Sequence, residues 1–443
     1  MSRVLSIIAA LICLHVQVSF SLDNGLALTP PMGWLTWERF RCNTDCKNDP
    51  NNCISERLIK EMALHMKNNG YLAAGYEYIT IDDCWPALER DPKTAKLVPD
   101  PERFPNGMKH LNFLDFMLHV HSLGMKFGIY EDFGTKTCGG YPGSEFYMQL
   151  DANTFAEWGV DLLKFDGCYS DPNLQLGGYA VMQFFLNQTG RPMVYSCEWP
   201  LYHWPAYQST PDYPHPDYKS IAKYCNMWRN YGDIQDSWDS IESIIEYYGK
   251  NPANFSSYAG PGHFNDPDML IVGDYGLSLT QQQSQMAMWA MMAAPLVMSV
   301  DLRAIPAESV AILQNKRVIA VNQDKLGVQG TRIQSGNIQL WRKPIQPTGS
   351  FAFVILNKGT DGVPHLASYK VGTLVGNTLY KYNITETFSG KKLGTFTTSD
   401  SFQAYVYPTG SYMFTMEPVA KKPAGKDDTL RFQPLRSIVK GRD

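Results

Sequence analysis

Histidine is scarce in this chain of 443 residues: there are nine, and they are scattered. No Ser-His-Asp arrangement can be assembled from them, and the scarcity disfavours a histidine metal site or a histidine general base. No Cys-x-x-Cys pair stands with matching histidine spacing, so the cysteines do not read as zinc ligands. Charge imbalance is slight. The formal net charge of -4 is too small to point to nucleic acid as a partner. The glycine-rich stretch Lys136-Thr137-Cys138-Gly139-Gly140-Tyr141-Pro142-Gly143 lacks Gly-Lys-Ser/Thr and does not form a strand-GxGxxG unit, which excludes a phosphate cradle. Beyond the N-terminal segment no apolar run is long enough to span a bilayer.

What is present points elsewhere. Residues 1–21 have a positive start at Arg3, an apolar stretch from Val4 to Val18 and small residues at Ser19 and Ser21, the pattern of a signal peptide. Cys13 lies within it. The eight other cysteines make an even number in a chain read as secretory, which points to disulfides. Asn187, Asn254 and Asn383 begin glycosylation sequons. Aromatic residues reach 13%, a content that suits both large cores and surfaces that stack on sugar rings.

Short apolar runs alternate with helical patterns over about 300 residues. Strands are expected at Met32–Trp37, with Trp37 at its end, at Tyr76–Ile81, Lys126–Gly134, Asp161–Asp166, Met193–Ser196 and Asn226–Asn230, with a seventh polar strand end over Gly260–Met269 and an eighth strand at Pro295–Ser299. Eight such units predict a (β/α)8 barrel over 22–326. After Leu326 short strands separated by Gly, Asn and Pro predict an antiparallel β-sandwich over 327–417, and 418–443 reads as a polar tail. The Met-rich helix Gln281–Met292 reads as core filler.

Acidic residues recur at the strand ends: Asp82-Asp83, Asp132, Asp166, Glu198, Asp233 and Asp266–Asp268. Barrel enzymes keep their chemistry at that face. Carboxyls together with Trp, Tyr, Lys and Arg suit glycoside hydrolysis, in which two carboxyls flank the bond and aromatics stack on the sugar. Lys164 lies two residues before Asp166, on the same side of the strand, where its charge would keep that carboxylate ionised. The second carboxyl must hold a proton for the leaving oxygen. Asp233, near Trp228 and Arg229, can serve, and on physical grounds alone so can Asp82 or Asp268.

Met32-Gly33-Trp34, Ile81-Asp82-Asp83-Cys84-Trp85, Lys164-Phe165-Asp166-Gly167-Cys168, Ser196-Cys197-Glu198-Trp199-Pro200, Trp228-Arg229-Asn230 and Asn265-Asp266-Pro267-Asp268-Met269 stand in the order found in glycoside hydrolase family 27. The sequence resembles that family from Leu22 to about Pro418. The resemblance implies a retaining exo-glycosidase without metal or organic cofactor, with Asp166 as nucleophile and Asp233 as acid/base. It implies sugar contacts from Trp37, Asp82, Asp83, Tyr130, Lys164, Glu198, Leu201, Tyr202, Arg229, Asp268 and Met269. It also implies the disulfides Cys42–Cys84, Cys46–Cys53, Cys138–Cys168 and Cys197–Cys225, a homodimer, and a lysosomal destination, with secretion as the alternative. Glu198 and Leu201 favour a terminal α-galactosyl substrate. A small-residue pair there would instead admit the 2-acetamido group of α-N-acetylgalactosamine. A galactose-binding homologue without catalysis is the remaining alternative. The stretch Tyr202–Tyr224 is longer than the family pattern. A retaining mechanism requires a spacing of about 5–5.5 Å between the two carboxyls.

Overall fold

The computed structural model describes residues 24–108, 116–203, 215–376, 378 and 380–419. The segment 1–21, residues 204–214 of the longer stretch and the tail beyond 419 lie outside the described residues. The first sheet has eight parallel strands: β1 (Met32–Leu35), β2 (Tyr78–Ile81), β3 (Lys126–Asp132), β4 (Leu162–Asp166), β5 (Val194–Cys197), β6 (Met227–Arg229), β7 (Phe264–Asp266) and β8 (Leu296–Met298). Their order is β7-β6-β5-β4-β3-β2-β1-β8. The ring closes just beyond β7, where the Leu270 N–H donates to Val297 O (2.7 Å) and the Ser299 N–H donates to Leu270 O (2.9 Å). This is the barrel that the strand–helix alternation predicts.

Alternation within each strand sorts side chains between two surroundings. Ile79, Ile81, Phe127, Ile129, Leu163, Phe165, Tyr195 and Trp228 point outward into the core shared with the helices. Tyr78, Leu162, Val194 and Met227 form a small apolar plug inside the barrel. Two and four residues further along the same inward rows come Thr80 and Asp82, Lys164 and Asp166, Ser196 and Glu198, and Arg229. The sequence thus turns polar on the inner face toward the strands' C-terminal ends. Gly128 is required by close approach: a Cβ there would lie 2.2 Å from Thr80 Oγ1 on the neighbouring strand.

Helices wrap the barrel with their apolar stripes inward. Glu56–Asn68 buries Leu58, Ile59, Met62 and Met66, and Ser55 caps it by accepting from the Leu58 N–H. It stops at Asn69, and Gly70 follows with φ +89°, a left-handed conformation that glycine adopts freely. Leu279–Met291 starts from a capping box of Ser278 and Gln281 and buries Met286, Met288 and Met291 completely, as expected of core filler. Trp37 departs from expectation. It opens a one-turn helix, Trp37–Phe40, because β1 ends at Leu35.

The second sheet is antiparallel, with strand order β14-β13-β16-β11-β10-β9. Its strands are β9 (Thr331–Gln334), β10 (Ile338–Ile345), β11 (Ser350–Asn357), β13 (Tyr382–Glu386), β14 (Lys392–Phe396) and β16 (Ser411–Pro418). The pair β12 (His365–Lys370) and β15 (Ser401–Val406) completes the sandwich. Trp341, Ala352, Val354, Leu356 and Met413 pack into the barrel's core. Leu340, Phe353, Ile355, Phe414 and Met416 face Ala367, Phe402 and Ala404 in the sandwich interior. Lys343 falls on the barrel-facing side, fully buried, and its Nζ donates to the carbonyls of Val321 (2.8 Å) and Ala290 (3.1 Å) near the C-terminal ends of two helices.

Candidate active site

Strand register assembles the site. Tyr130 lies beside Lys164 and Asp132 beside Asp166 on the adjacent strands β3 and β4. Ser196 is level with Lys164 on β5, which brings Glu198 to the height of Asp166. A cavity inside the barrel is lined by Lys164, Glu198, Arg229, Asp266, Asp268 and Met269, among others.

Asp166 is buried, and each of its carboxylate oxygens takes a phenolic hydroxyl. Tyr130 Oη donates to Oδ2 at 2.8 Å and Tyr202 Oη to Oδ1 at 2.5 Å, while the Gly167 N–H also reaches Oδ1 at 2.8 Å. Burial and the neighbouring carboxylate Asp166 hold both tyrosines well above the ordinary phenol range, so both remain donors. Lys164 forms no direct ion pair with Asp166, although the two charges still act on each other. Its Nζ lies 2.7 Å from Asp82 Oδ2 and 3.4 Å from Glu198 Oε1. The reason is length: the side chain leaves the wall at the level of Tyr130 and reaches across the interior to the ends of β2 and β5.

Arg229, 3% exposed, is shared among acids. Its guanidinium lies 2.9 Å from Asp268, 3.0 Å from Asp233 and 3.5 Å from Glu198. The Asp233 side chain remains 45% exposed. Partial burial raises its carboxyl, but Arg229 and Lys164 outweigh that and hold it below the usual carboxylate range. The free site therefore does not by itself keep a proton on Asp233, contrary to the expectation for a resting acid. The adjacent Arg229 is the cause.

Glu198 shows the opposite balance. Burial lifts it to about 8 against the pull of Arg229 and Lys164, and among the described residues its Oε1 accepts no hydrogen bond, only facing those two cations at 3.5 and 3.4 Å. Leu201, buried, follows in the one-turn helix Trp199–Tyr202 that also carries Tyr202. Asp82 takes the Asp83 N–H on Oδ1 (2.8 Å) as well as Lys164, and burial raises it. Asp83 turns away to the glycine-rich loop, accepting from the Gly139 N–H (2.6 Å) and the Cys84 N–H (2.6 Å), and burial raises it to about 6. Its oxygens thus staple backbone, while Asp82 faces the cavity lysine. Trp37 is half-buried under the Arg41 guanidinium, 5.5 Å from its ring centre. Asp268 has φ +82°, a strained value for a residue with a Cβ, and is pinned there by the Ile234 N–H (2.8 Å), the Met269 N–H (2.9 Å) and Arg229.

Four disulfides join Cys42 to Cys84, Cys46 to Cys53, Cys138 to Cys168 and Cys197 to Cys225. The third lies against the site: Cys138 Sγ is 3.3 Å from Asp166 Oδ2, and Cys168 Sγ is 3.2 Å from Tyr202 Oη. Sequence reasoning gave Asp132 no role. The structure places it, fully buried, beside Asp166, accepting from the Gly134 N–H (2.7 Å) and the Cys168 N–H (3.0 Å). Its place at the end of β3 was the available signal. Thr36, whose Oγ1 accepts from the Asp82 N–H (2.9 Å), carried none.

Two family models divide the chain: alpha galactosidase A over residues 29–324, and the alpha galactosidase A C-terminal beta sandwich domain over 327–410. The chain belongs to the alpha-galactosidase A family. It is a glycoside hydrolase. It is 47% identical to human alpha-galactosidase A over 92% of this chain and 93% of that protein. It is 48% identical to chicken alpha-N-acetylgalactosaminidase over 90% and 96%. Among solved structures, the alpha-galactosidase of Saccharomyces cerevisiae superposes with a TM-score of 0.77 at 26% identity, covering 89% of this chain and 99% of that one. The (β/α)8 barrel and sandwich are thus the family's own architecture.

Proposed function

We propose that this chain is a retaining α-galactosidase that removes terminal α-D-galactosyl residues from glycolipids, glycoproteins and oligosaccharides. The observation that carries the reading is the buried Asp166 carboxylate at the end of β4, oriented by one tyrosine hydroxyl on each oxygen. In the first step an Asp166 oxygen bonds to the anomeric carbon while the glycosidic oxygen leaves with the proton of Asp233. In the second, water attacks that carbon, Asp233 takes the water's proton and the Asp166 ester breaks. Two carboxyls and a water suffice, so the reaction needs no cofactor.

Similarity does not choose between the two relatives, since identity to each is nearly equal. The pocket favours galactose. The buried Glu198 Oε1 awaits a donor that a 2-hydroxyl supplies, and Leu201 occupies volume an acetamide would need. Lys164, Asp82, Arg229, Asp268 and Met269 would hold the remaining sugar face, with Trp37 at the rim.

The experiment pairs 4-nitrophenyl α-galactoside with its α-N-acetylgalactosaminide. Preference for the galactoside is expected, and preference for the other would reverse the Glu198/Leu201 argument. Asp166→Ala should fold and show no turnover, and proton NMR of the first product should show the α-anomer. Galactose binding without hydrolysis by the unaltered protein would instead make it a sugar-binding homologue.

The same reading takes 22–326 as the catalytic unit and 327–417 as the sandwich, with 1–21 removed on entry to the secretory pathway and 418–443 as an appended tail. It takes a homodimer and a lysosomal destination. Asn187, Asn254 and Asn383 are exposed, as glycan acceptors must be. No helix among the described residues is long and apolar enough to cross a membrane.

A further inference from the structure

The loop after β3 and the end of β4 bring two sulfurs and two carboxylates together. One ligand atom from each of Asp132, Cys138, Asp166 and Cys168 lies within 4.8 Å of all the others. Cys138 Sγ is 3.3 Å from Asp166 Oδ2 and 3.7 Å from Asp132 Oδ2. Two thiolates with two carboxylates form a donor set that tetrahedral zinc accepts, at bonds of about 2.0–2.3 Å. While the sulfurs are bonded to each other there is no thiolate and no site.

Two features let the reduced form bind a cation. The disulfide is reachable, since Cys138 is exposed and Cys168 half-buried, whereas both cysteines of Cys197–Cys225 are fully buried. Both cysteine segments are also held by bonds other than the disulfide: Gly139 N–H to Asp83 (2.6 Å), Thr137 N–H to Tyr141 O (2.9 Å) and Cys168 N–H to Asp132 (3.0 Å). Opening the bridge therefore leaves both sulfurs beside the acids.

We propose that the Cys138–Cys168 bridge covers a redox-gated site for a thiophilic divalent cation, and that filling it switches the hydrolase off. A phosphine reductant transfers two electrons to the disulfide, giving two thiols and a phosphine oxide whose oxygen comes from water. The cation then displaces the thiol protons and takes the Asp166 oxygen that would attack the sugar. The effect on activity rests on the nucleophile assignment above, but metal binding does not.

The test uses the full chain treated with a water-soluble trialkylphosphine, then titrated with Co2+. Alkylation and mass spectrometry identify which thiols are free. The oxidised protein should show no thiolate-to-cobalt band. The reduced protein should show one that saturates near one equivalent, is displaced by Zn2+ and tracks loss of hydrolysis, with activity restored by a chelator. Asp132→Asn, which leaves the cysteines untouched, should weaken binding by about tenfold or more. Absence of the band, a band when Cys138 and Cys168 remain unalkylatable, a band undiminished in the double variant Cys138→Ser/Cys168→Ser, or loss of circular dichroism on reduction would each overturn the proposal. If the protein hydrolyses no α-galactoside at all, the function fails while the cobalt titration still decides the site.

Discussion

Asp166 and Asp233 illustrate how neighbours set two identical side chains apart, here for the two tasks proposed for them. Asp166 is oriented by hydroxyl donors that stay neutral rather than by a direct ion pair. Removing one such bond to a charged group costs about 1.5–3 kcal/mol, so Tyr202→Phe should lower kcat/KM by about ten- to a hundredfold with folding intact. An unchanged kcat/KM would show that the hydroxyl does not act on the proposed nucleophile. Asp233 has the reverse problem, because Arg229 and Lys164 hold it below the usual range while its proposed task needs a proton. Its protonated fraction thus declines from a pH below the ordinary carboxylate value upward. For an alkyl galactoside, whose leaving group needs the proton, kcat/KM should fall by about tenfold per pH unit above that point. For a dinitrophenyl galactoside, which leaves without help, the fall should be shallow. A flat alkyl profile up to neutrality would remove Asp233 from the acid role. These pairings mark where sequence reading stopped. Lys164 shares a strand face with Asp166, and that was legible from alternation. That its ammonium would end at Asp82 and Glu198 depends on side-chain reach across a closed barrel, which no linear pattern records.

At the scale of the element, β3 shows both the strength and the limit of pattern. Its inward residues Gly128, Tyr130 and Asp132 belong to the site and its outward Phe127 and Ile129 to the core, as period-two reading predicts. Glu131 breaks the pattern, an acid on the outward, apolar face. It is fully buried, among the described residues no side chain hydrogen-bonds its carboxyl oxygens and only the Asp132 backbone acts on them, and burial together with Asp151 holds it well above the ordinary range. The nearby Arg90 already clasps Asp151 with both terminal nitrogens, at 2.6 and 2.7 Å. A neutral acid without side-chain partners is worse than an apolar side chain of similar size. Glu131→Leu should therefore stabilise the protein by about 1–3 kcal/mol in urea unfolding, with the site's register kept. Destabilisation would mean that the carboxyl does useful work in the folded chain. Elements were legible wherever apolar periodicity and turn residues agreed, as in the helix Glu56–Asn68 or β11. The sandwich was less so. Three of its eight strands were clear in the sequence, because strands such as β14 are exposed and carry little apolar signal.

Across the whole molecule the buried acids act in concert. Burial raises Asp83 and Asp266 to about 6, Glu38 to about 7, and Glu198 and Asp274 to about 8. Each is protonated in the fold at pH values where the unfolded chain has released that proton. Their contribution to stability is complete below the unfolded carboxylate value and declines as pH rises toward the folded one. Asp161, Asp301, Glu246 and Asp233 are held low, so their contribution is present at ordinary pH and is lost only in stronger acid. Lys343, lowered to about 7 by burial between the two domains, adds stability as pH climbs from there toward the ordinary lysine value. The raised acids govern the interval between about pH 5 and pH 7.5. Thermal stability should accordingly be highest in mild acid and fall across that interval, by about 3 °C for each net proton released over two pH units in a chain of this size. The fall should be smaller in Glu38→Gln, a change that removes one titrating acid. A Tm that rises from pH 5 to pH 7.5 would mean that these carboxyls are ionised in the fold, and that the cations Lys164, Arg229 and Arg41 dominate over burial. The same balance would then apply to Glu198, which would meet a 2-hydroxyl as a carboxylate rather than as an acid. A calorimetric series across pH thus reports on the protonation of the proposed sugar pocket without any substrate present.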